Sequence, residues 1–161
     1  MTKRSALVIC ALFSLAGTCA AMAAPSPTPP CGAGGRQFTS FESLPQQVSL
    51  NILRHFAPDE PVAQLVASKN PLMAKRDADW QVTDVPGNRD LPGRRFILGA
   101  HVGNQLLVWY ESGGVAHMYH VAVFTQAGPQ WRQSRHLAEG SLVALCRRLG
   151  TRDTSVYDQY W

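Results

Sequence analysis

The chain has 161 residues, of which 45% are hydrophobic and 16% charged, and its formal net charge is +4. One compact domain is the expectation for this length, and the apolar fraction is typical of a folded globular protein rather than a disordered one. The basic residues are few and scattered, which excludes the concentrated basic face that nucleic-acid binding needs.

The first 23 residues have the layout of a secretory signal peptide. Two basic residues precede an apolar run, and small residues around Ala23 fit a cleavage site. The apolar run is shorter than the roughly 20 residues that span a bilayer, so no membrane span is expected after cleavage. The stretch ending at Cys19 departs from a lipoprotein motif, because Thr18 precedes the cysteine. We therefore predict a signal peptide over 1–23 and a periplasmic or secreted protein.

Two cysteines remain once the predicted signal peptide is removed, Cys31 and Cys146. An even cysteine count in an exported chain indicates a disulfide. The bond would join residues 115 positions apart. The alternative is a reactive thiol at Cys146, which lies beside Arg147 and Arg148 on a predicted helix. In an oxidising compartment we expect the disulfide.

The sequence predicts a linker after the signal peptide and three helices. Residues 24–40 are rich in proline and glycine and predict a linker, so the single folded domain is expected over 41–161. Three helices are predicted, over residues 43–57, 59–67 and 141–150. Helix-start residues and apolar residues at helical spacing indicate them, and Pro58 and Gly150 mark the ends of the first and the last.

The hydrophobic period changes from helical to two at Trp80. Five segments separated by turn residues are predicted as strands, over 80–85, 94–102, 105–111, 115–124 and 130–136. Connections this short force antiparallel neighbours. The pattern predicts an α+β fold with an N-terminal helix, a five-stranded antiparallel meander sheet and a short C-terminal helix.

The stretch WYESGGVAHMYH, residues 109–120, places several chemically active side chains at a predicted hairpin. With Gly113 and Gly114 as a two-residue turn, both at positive φ, Tyr110 lies opposite His117 in the ladder. Side-chain alternation then sends His117 and His120 to opposite faces of the sheet, where they cannot chelate one metal.

Catalysis at this hairpin is not expected from that register. Ser112 opens a hairpin rather than a helix, and no general base is predicted beside it. Glu111 shares a face with His120 but lies about four residues away along the ladder. We predict no catalytic residue, no metal site and no cofactor.

Both faces of the predicted sheet are apolar and need a cover. The helices that begin near Ser43 and Leu142 are expected to cover one face jointly. An uncovered aromatic face would be a binding surface, because large exposed apolar patches are rare on solitary proteins. The candidate binding residues all lie near the Gly-Gly turn: Arg95, Trp109, Tyr110, His117 and Tyr119.

Exposure of these side chains distinguishes a binding surface from a core. For a binding surface we expect at least two of Arg95, Trp109, Tyr110 and Tyr119 to be substantially exposed. In the alternative, the short helix and the C-terminal tail fold over this face and make it ordinary core.

The leading hypothesis is a non-enzymatic exported protein that binds another periplasmic or secreted protein, such as a cell-wall-active enzyme, in the manner of an inhibitor or immunity protein. Trp, Tyr and Arg are the side chains that dominate interface hot spots. One alternative is a small hydrolase in which the register differs and Glu111, His117 or His120 meets Asp84. Another is a small-molecule or lipid binder, which needs an apolar cavity.

Overall fold

The computed structural model of the protein describes residues 28–67, 72–83 and 90–150. The predicted signal peptide, the first residues of the predicted linker, Asp84 and the C-terminal tail lie outside the described residues. The predicted domain boundaries therefore remain predictions at both ends.

A five-stranded antiparallel sheet forms the centre of the fold, and its strands lie in chain order. The strands are β1 Arg36–Phe38, β2 Arg94–Val102, β3 Gln105–Ser112, β4 Met118–Ala127 and β5 Gln130–Glu139. The helices are α1 Gln46–Phe56, α2 Val62–Ala67 and α3 Leu142–Leu149. The predicted α+β fold is confirmed.

The first strand is not the predicted one. Strand β1 lies within the segment predicted as a linker and pairs with β2, Gln37 opposite Ala100. Gly35 makes this pairing possible, because a Cβ there would overlap the carbonyl oxygen of His101. The predicted strand over 80–85 is wrong for its described part, residues 80–83, which form only an isolated bridge from Thr83 to Gly114.

The helix ends differ slightly from the expected ones. Helix α1 begins at Gln46 without a side-chain cap, because Ser43 belongs to a preceding 3-10 turn. It ends at Phe56, one residue before the predicted end at Ala57. In α3, the Ser141 side chain accepts a hydrogen bond from the amide of Ala144 at 3.2 Å and caps the first turn.

The two long helices cover opposite faces of the sheet. Helix α1 buries Val48 and Ile52 in a cluster on one face, and α3 buries Leu145 in a cluster on the other. The expectation that both helices cover one face is wrong. Both apolar faces are covered by the chain itself, so neither face is left as an aromatic docking surface.

A disulfide joins Cys31 to Cys146, with the two Cα atoms 5.0 Å apart. It ties the 3-10 turn at Pro30–Gly32 to α3, and Ala33 packs into the cluster beneath that helix. The predicted disulfide is confirmed.

Among the described residues, no helix has both the length and the apolar character needed to cross a membrane.

Candidate functional site

The hairpin between β3 and β4 is longer than predicted, and this changes the register. Ser112 pairs with Met118 and Tyr110 pairs with His120, so residues 113–117 form a five-residue loop. The predicted two-residue turn, with Tyr110 opposite His117, is wrong. Tyr110 pairs with a residue three positions further along β4 than predicted. Because three is an odd number, each β4 side chain lies on the opposite face, relative to β3, from the one predicted.

The two glycines pair with other parts of the chain instead of closing the turn. The Gly113 amide donates to the Gly93 carbonyl at 2.9 Å, and the Gly114 amide donates to the Val82 carbonyl at 3.2 Å. A Cβ at Gly113 would overlap the backbone of Gln81 and Val82. Of the two glycines, only Gly114 has positive φ.

The predicted binding residues divide into a buried pair and a partly exposed group. Trp109 and Tyr110 are buried, at 0% and 1% exposure, so of the four residues in the exposure prediction only Arg95 and Tyr119 are partly exposed. Arg95, His117 and Tyr119 are half-buried and lie together. The half-buried three are therefore the ones that a ligand could reach.

Glu111 holds this group together. Its side chain is 8% exposed and accepts hydrogen bonds from Arg95 Nη2 at 3.1 and 3.2 Å and from His117 Nε2 at 3.0 Å. The His117 ring packs against Trp80 at 5.5 Å and Tyr119 at 4.8 Å, measured between ring centroids. We call these five residues the Glu111 cluster. A buried carboxylate that accepts hydrogen bonds from an arginine and a histidine fixes their positions.

A surface cleft of about 260 Å³ adjoins the Glu111 cluster. Four charged and two apolar residues line it: Arg76, Asp77, Arg95, Phe96, Ile97 and Glu111. A cleft with charges of both signs suits a polar group rather than a lipid chain.

A second cluster, which the sequence did not predict, lies beside the same hairpin on the other face of the sheet, the face that α1 covers. Ser112 Oγ lies 2.7 Å from His120 Nε2, and His120 Nδ1 lies 3.2 Å from His136 Nε2. The Tyr110 hydroxyl is 3.1 Å from that same His136 nitrogen. We call these four residues the histidine chain. An imidazole therefore lies beside Ser112, where the predicted register placed none.

The histidine chain is visible in the sequence only if the register is known. With Tyr110 opposite His120, the two rings stack with centroids 4.6 Å apart and planes 2° apart. His136 on β5 pairs with Ala122 on β4, which places its side chain on the same face as Tyr110 and His120. His117, in contrast, contacts Glu111, so the two hairpin histidines do point to opposite faces as expected.

Burial and nearby positive charge control protonation in the histidine chain. Burial, followed by the effects of His136 and Arg94, lowers the pKa of His120 to about 3. Burial raises the pKa of Tyr110 above its ordinary value, and nearby Arg94 opposes this only in part. At neutral pH the Tyr110 phenol and the His120 imidazole are both uncharged.

Acidification should destabilise the protein through His120. An unfolded histidine binds a proton near pH 6.5, whereas His120 does so only near pH 3 in the folded state. The unfolded chain thus binds more protons between these values, and stability falls with pH by up to about 1.4 kcal/mol per pH unit. Urea unfolding from about pH 7 to about pH 4 measures this loss. The His120→Phe variant, which keeps a ring but cannot bind a proton, should lose less, and equal slopes for the two proteins would contradict the assignment.

Neither a metal site nor a related protein identifies the function of this chain. Within residues 28–67, 72–83 and 90–150, no group of three or more His, Cys, Asp or Glu side chains could hold a metal ion. Comparison with protein-family models, curated proteins and solved structures finds no significant match to the chain. The candidate function therefore rests on the geometry of its own residues.

Proposed function

We propose that the protein is an exported, non-enzymatic binding protein whose partner is another periplasmic or secreted protein. The observation that carries the proposal is a rigidly held loop, residues 113–117, with an apolar residue at its tip. Val115 is 94% exposed and is the most exposed of the large hydrophobic side chains in the described residues. An apolar tip held in a fixed conformation suits insertion into a cleft of a partner.

The loop is anchored on both sides. Gly113 and Gly114 donate to Gly93 and Val82, and His117 is fixed to buried Glu111. A loop already ordered before binding loses little conformational entropy when a partner docks. Anchors of this kind therefore increase the affinity available from a small contact area.

The residues behind the loop are of the kinds that dominate interfaces. Arg95 and Tyr119 are half-buried beside His117, and Arg95 also stacks over Trp80 with its guanidinium carbon 5.1 Å from the ring centroid. Arg, Tyr and Trp carry much of the binding energy at protein interfaces. They are held in place here, so they would support a contact centred on Val115.

The two other hypotheses fit the geometry less well. Glu111 and His117 do lie within hydrogen-bond distance, but both oxygens of Glu111 also accept from Arg95, which occupies the carboxylate that a hydrolase would need as a base. The cleft beside them is lined mainly by charged side chains, whereas a lipid or small apolar ligand needs an apolar cavity.

Export is part of the proposal, and the disulfide supports it. Structural disulfides persist in oxidising compartments such as the periplasm and are rare in the cytosol. The bond between Cys31 and Cys146 is compatible with that location.

Replacement of Val115 by aspartate tests the proposed contact. The oxidised protein is immobilised, bound proteins are recovered from a periplasmic extract of the source organism, and the captured protein is purified for titration. Val115→Asp should weaken its binding at least about tenfold, because the charge would enter an apolar cleft of the partner. The Val115 side chain makes little contact with the rest of the protein, so the melting temperature should stay the same.

Val143→Asp is the matched control. Val143 is 72% exposed on α3 and is not part of the loop. This variant should bind as the unmodified protein does. Equal loss of binding in both variants, or failure of the unmodified protein to retain any protein, would overturn the proposal.

A further inference from the structure

Beyond partner binding, the geometry points to Ser112 as a nucleophilic serine that forms a covalent ester with acyl donors, with His120 as its base. The hydrogen-bonded distance of 2.7 Å between Ser112 Oγ and His120 Nε2 is that of a serine beside a general base. The other imidazole nitrogen contacts His136, so a third group orients the base.

The proposed base requires one arrangement of protons in the histidine chain. For His120 Nε2 to accept the serine proton, its lone pair must face Ser112, so His120 Nδ1 carries the hydrogen and donates to His136 Nε2 at 3.2 Å. The Tyr110 hydroxyl lies 3.1 Å from that nitrogen and stays protonated, because burial raises its pKa.

Ser112 lies where an acyl donor can approach it. It is the last residue of β3 and is half-buried, as are Arg94 and Met118, its partners on the two neighbouring strands. Residues directly opposite in a ladder project from the same face. The Arg94 guanidinium stacks over Phe56 on that face, 4.0 Å from the ring centroid to the guanidinium carbon. It supplies a positive charge near the carbonyl oxygen of a bound donor.

The reaction balances with the groups present and an ester donor. Ser112 Oγ attacks the carbonyl carbon and its proton passes to His120 Nε2, while the ester C–O bond breaks and the leaving alkoxide takes the proton from His120. The products are an acyl-Ser112 ester and a free alcohol.

The environment of His120 makes this reaction slow. Its lowered pKa makes it a weak proton acceptor at neutral pH, far from the optimum for a general base. Covalent labelling of Ser112 is therefore expected, rather than rapid turnover.

A fluorophosphonate probe tests the proposal on the oxidised full chain. Ser112 attacks phosphorus, fluoride leaves, and intact-mass spectrometry with peptide mapping locates the label. Ser134 is the internal control, because its hydroxyl bonds to Thr125 Oγ1 and the Val123 carbonyl and not to an imidazole. General-base assistance typically contributes about 10²- to 10⁴-fold, and His120 is a weak base, so Ser112 should label at least about tenfold faster than Ser134.

Variants distinguish activation of Ser112 by His120 from simple exposure of the Ser112 hydroxyl. Ser112→Ala should abolish the fast label and Ser134→Ala should leave it unchanged, while His120→Gln should slow it to the rate of Ser134. If His120→Gln fails to fold, the comparison of Ser112 with Ser134 in the unmodified protein still decides the matter. Equal labelling of the two serines, or no label at Ser112, overturns the proposal.

His136 is proposed as a positioning residue, and a pH profile tests that role. The charged or titratable groups facing His120 are Tyr110 from β3, His136 from β5 and Arg94 from β2. Because His136 helps to lower the pKa of His120, His136→Phe should make labelling decline at a higher pH during acidification. An unchanged midpoint contradicts the role of His136.

Discussion

Truncation of Trp109 to alanine should lower the free energy of unfolding by about 3 to 5 kcal/mol. Trp109 is 0% exposed at the centre of β3 and packs in the cluster under α3. Removal of the indole leaves a cavity that a covered sheet face cannot fill. Its Nε1 has no hydrogen-bond partner among the described residues, so loss of that buried donor offsets a small part of the cost.

Tyr110→Ala, on the opposite face of the sheet, should lower the free energy of unfolding by a similar amount. Tyr110 is 1% exposed, stacks on His120 and meets the edge of Phe56 at 5.5 Å. Tyr110→Phe keeps these ring contacts and removes only the hydroxyl that bonds to His136, so it should lose about 0.5 to 1.5 kcal/mol.

Denaturant unfolding of the three variants measures these losses, with Tyr119→Ala as the control. Tyr119 is half-buried and should lose less stability than Tyr110 when truncated. Near-wild-type stability of both Trp109→Ala and Tyr110→Ala would return these residues to a surface role and contradict the covered-face architecture.

The main elements of the fold were predictable because they rest on local periodicity. A run of mostly apolar residues between Arg94 and Val102, bounded by turn residues on both sides, predicts β2 with its observed ends. The apolar stripe up to Phe56 and the stripe ending before Gly150 predict α1 and α3. These signals depend on neighbours three or four positions away and require no knowledge of tertiary contacts.

Strand β1 was not predictable because its signal is not local. Its three residues, Arg36 to Phe38, include one apolar residue only and follow a glycine-rich stretch. The strand exists because Gly35 allows close approach to β2 and because the Cys31 disulfide holds the segment beside α3. Both causes are long-range contacts.

The contacts within the two candidate sites were not predicted, because the predicted hairpin register was wrong. Two adjacent glycines favour a tight turn by themselves, and the sequence gives no sign that Gly93 and Val82 pair with them. The five-residue loop that results brings Glu111 to His117 and Ser112 to His120. Both contacts follow from one change in register, since a shift by an odd number of residues moves every side chain of β4 to the other face.

Removal of the disulfide by Cys31→Ser together with Cys146→Ser should be the other large loss of stability. The bond closes a separation of 115 residues, for which the chain-entropy model gives about 4 to 5 kcal/mol. Cys31 is held at φ 60°, in the left-handed region that costs a non-glycine residue about 1 to 2 kcal/mol. Release of that backbone strain in the variant should reduce the net loss to about 3 kcal/mol.

Urea unfolding of the double variant beside the oxidised and the reduced protein measures this loss. The variant and the reduced protein should unfold at the same urea concentration, below that of the oxidised protein, because serine and thiol side chains impose no cross-link. The loss should also fall on the α3 face, since the bond holds Ala33 in the cluster that contains Trp109. Amide exchange should therefore accelerate in β1 and α3 more than at the hairpin loop. Two titratable thiols in natively purified protein, or unfolding of the variant at the urea concentration of the oxidised protein, would contradict a stabilising cross-link.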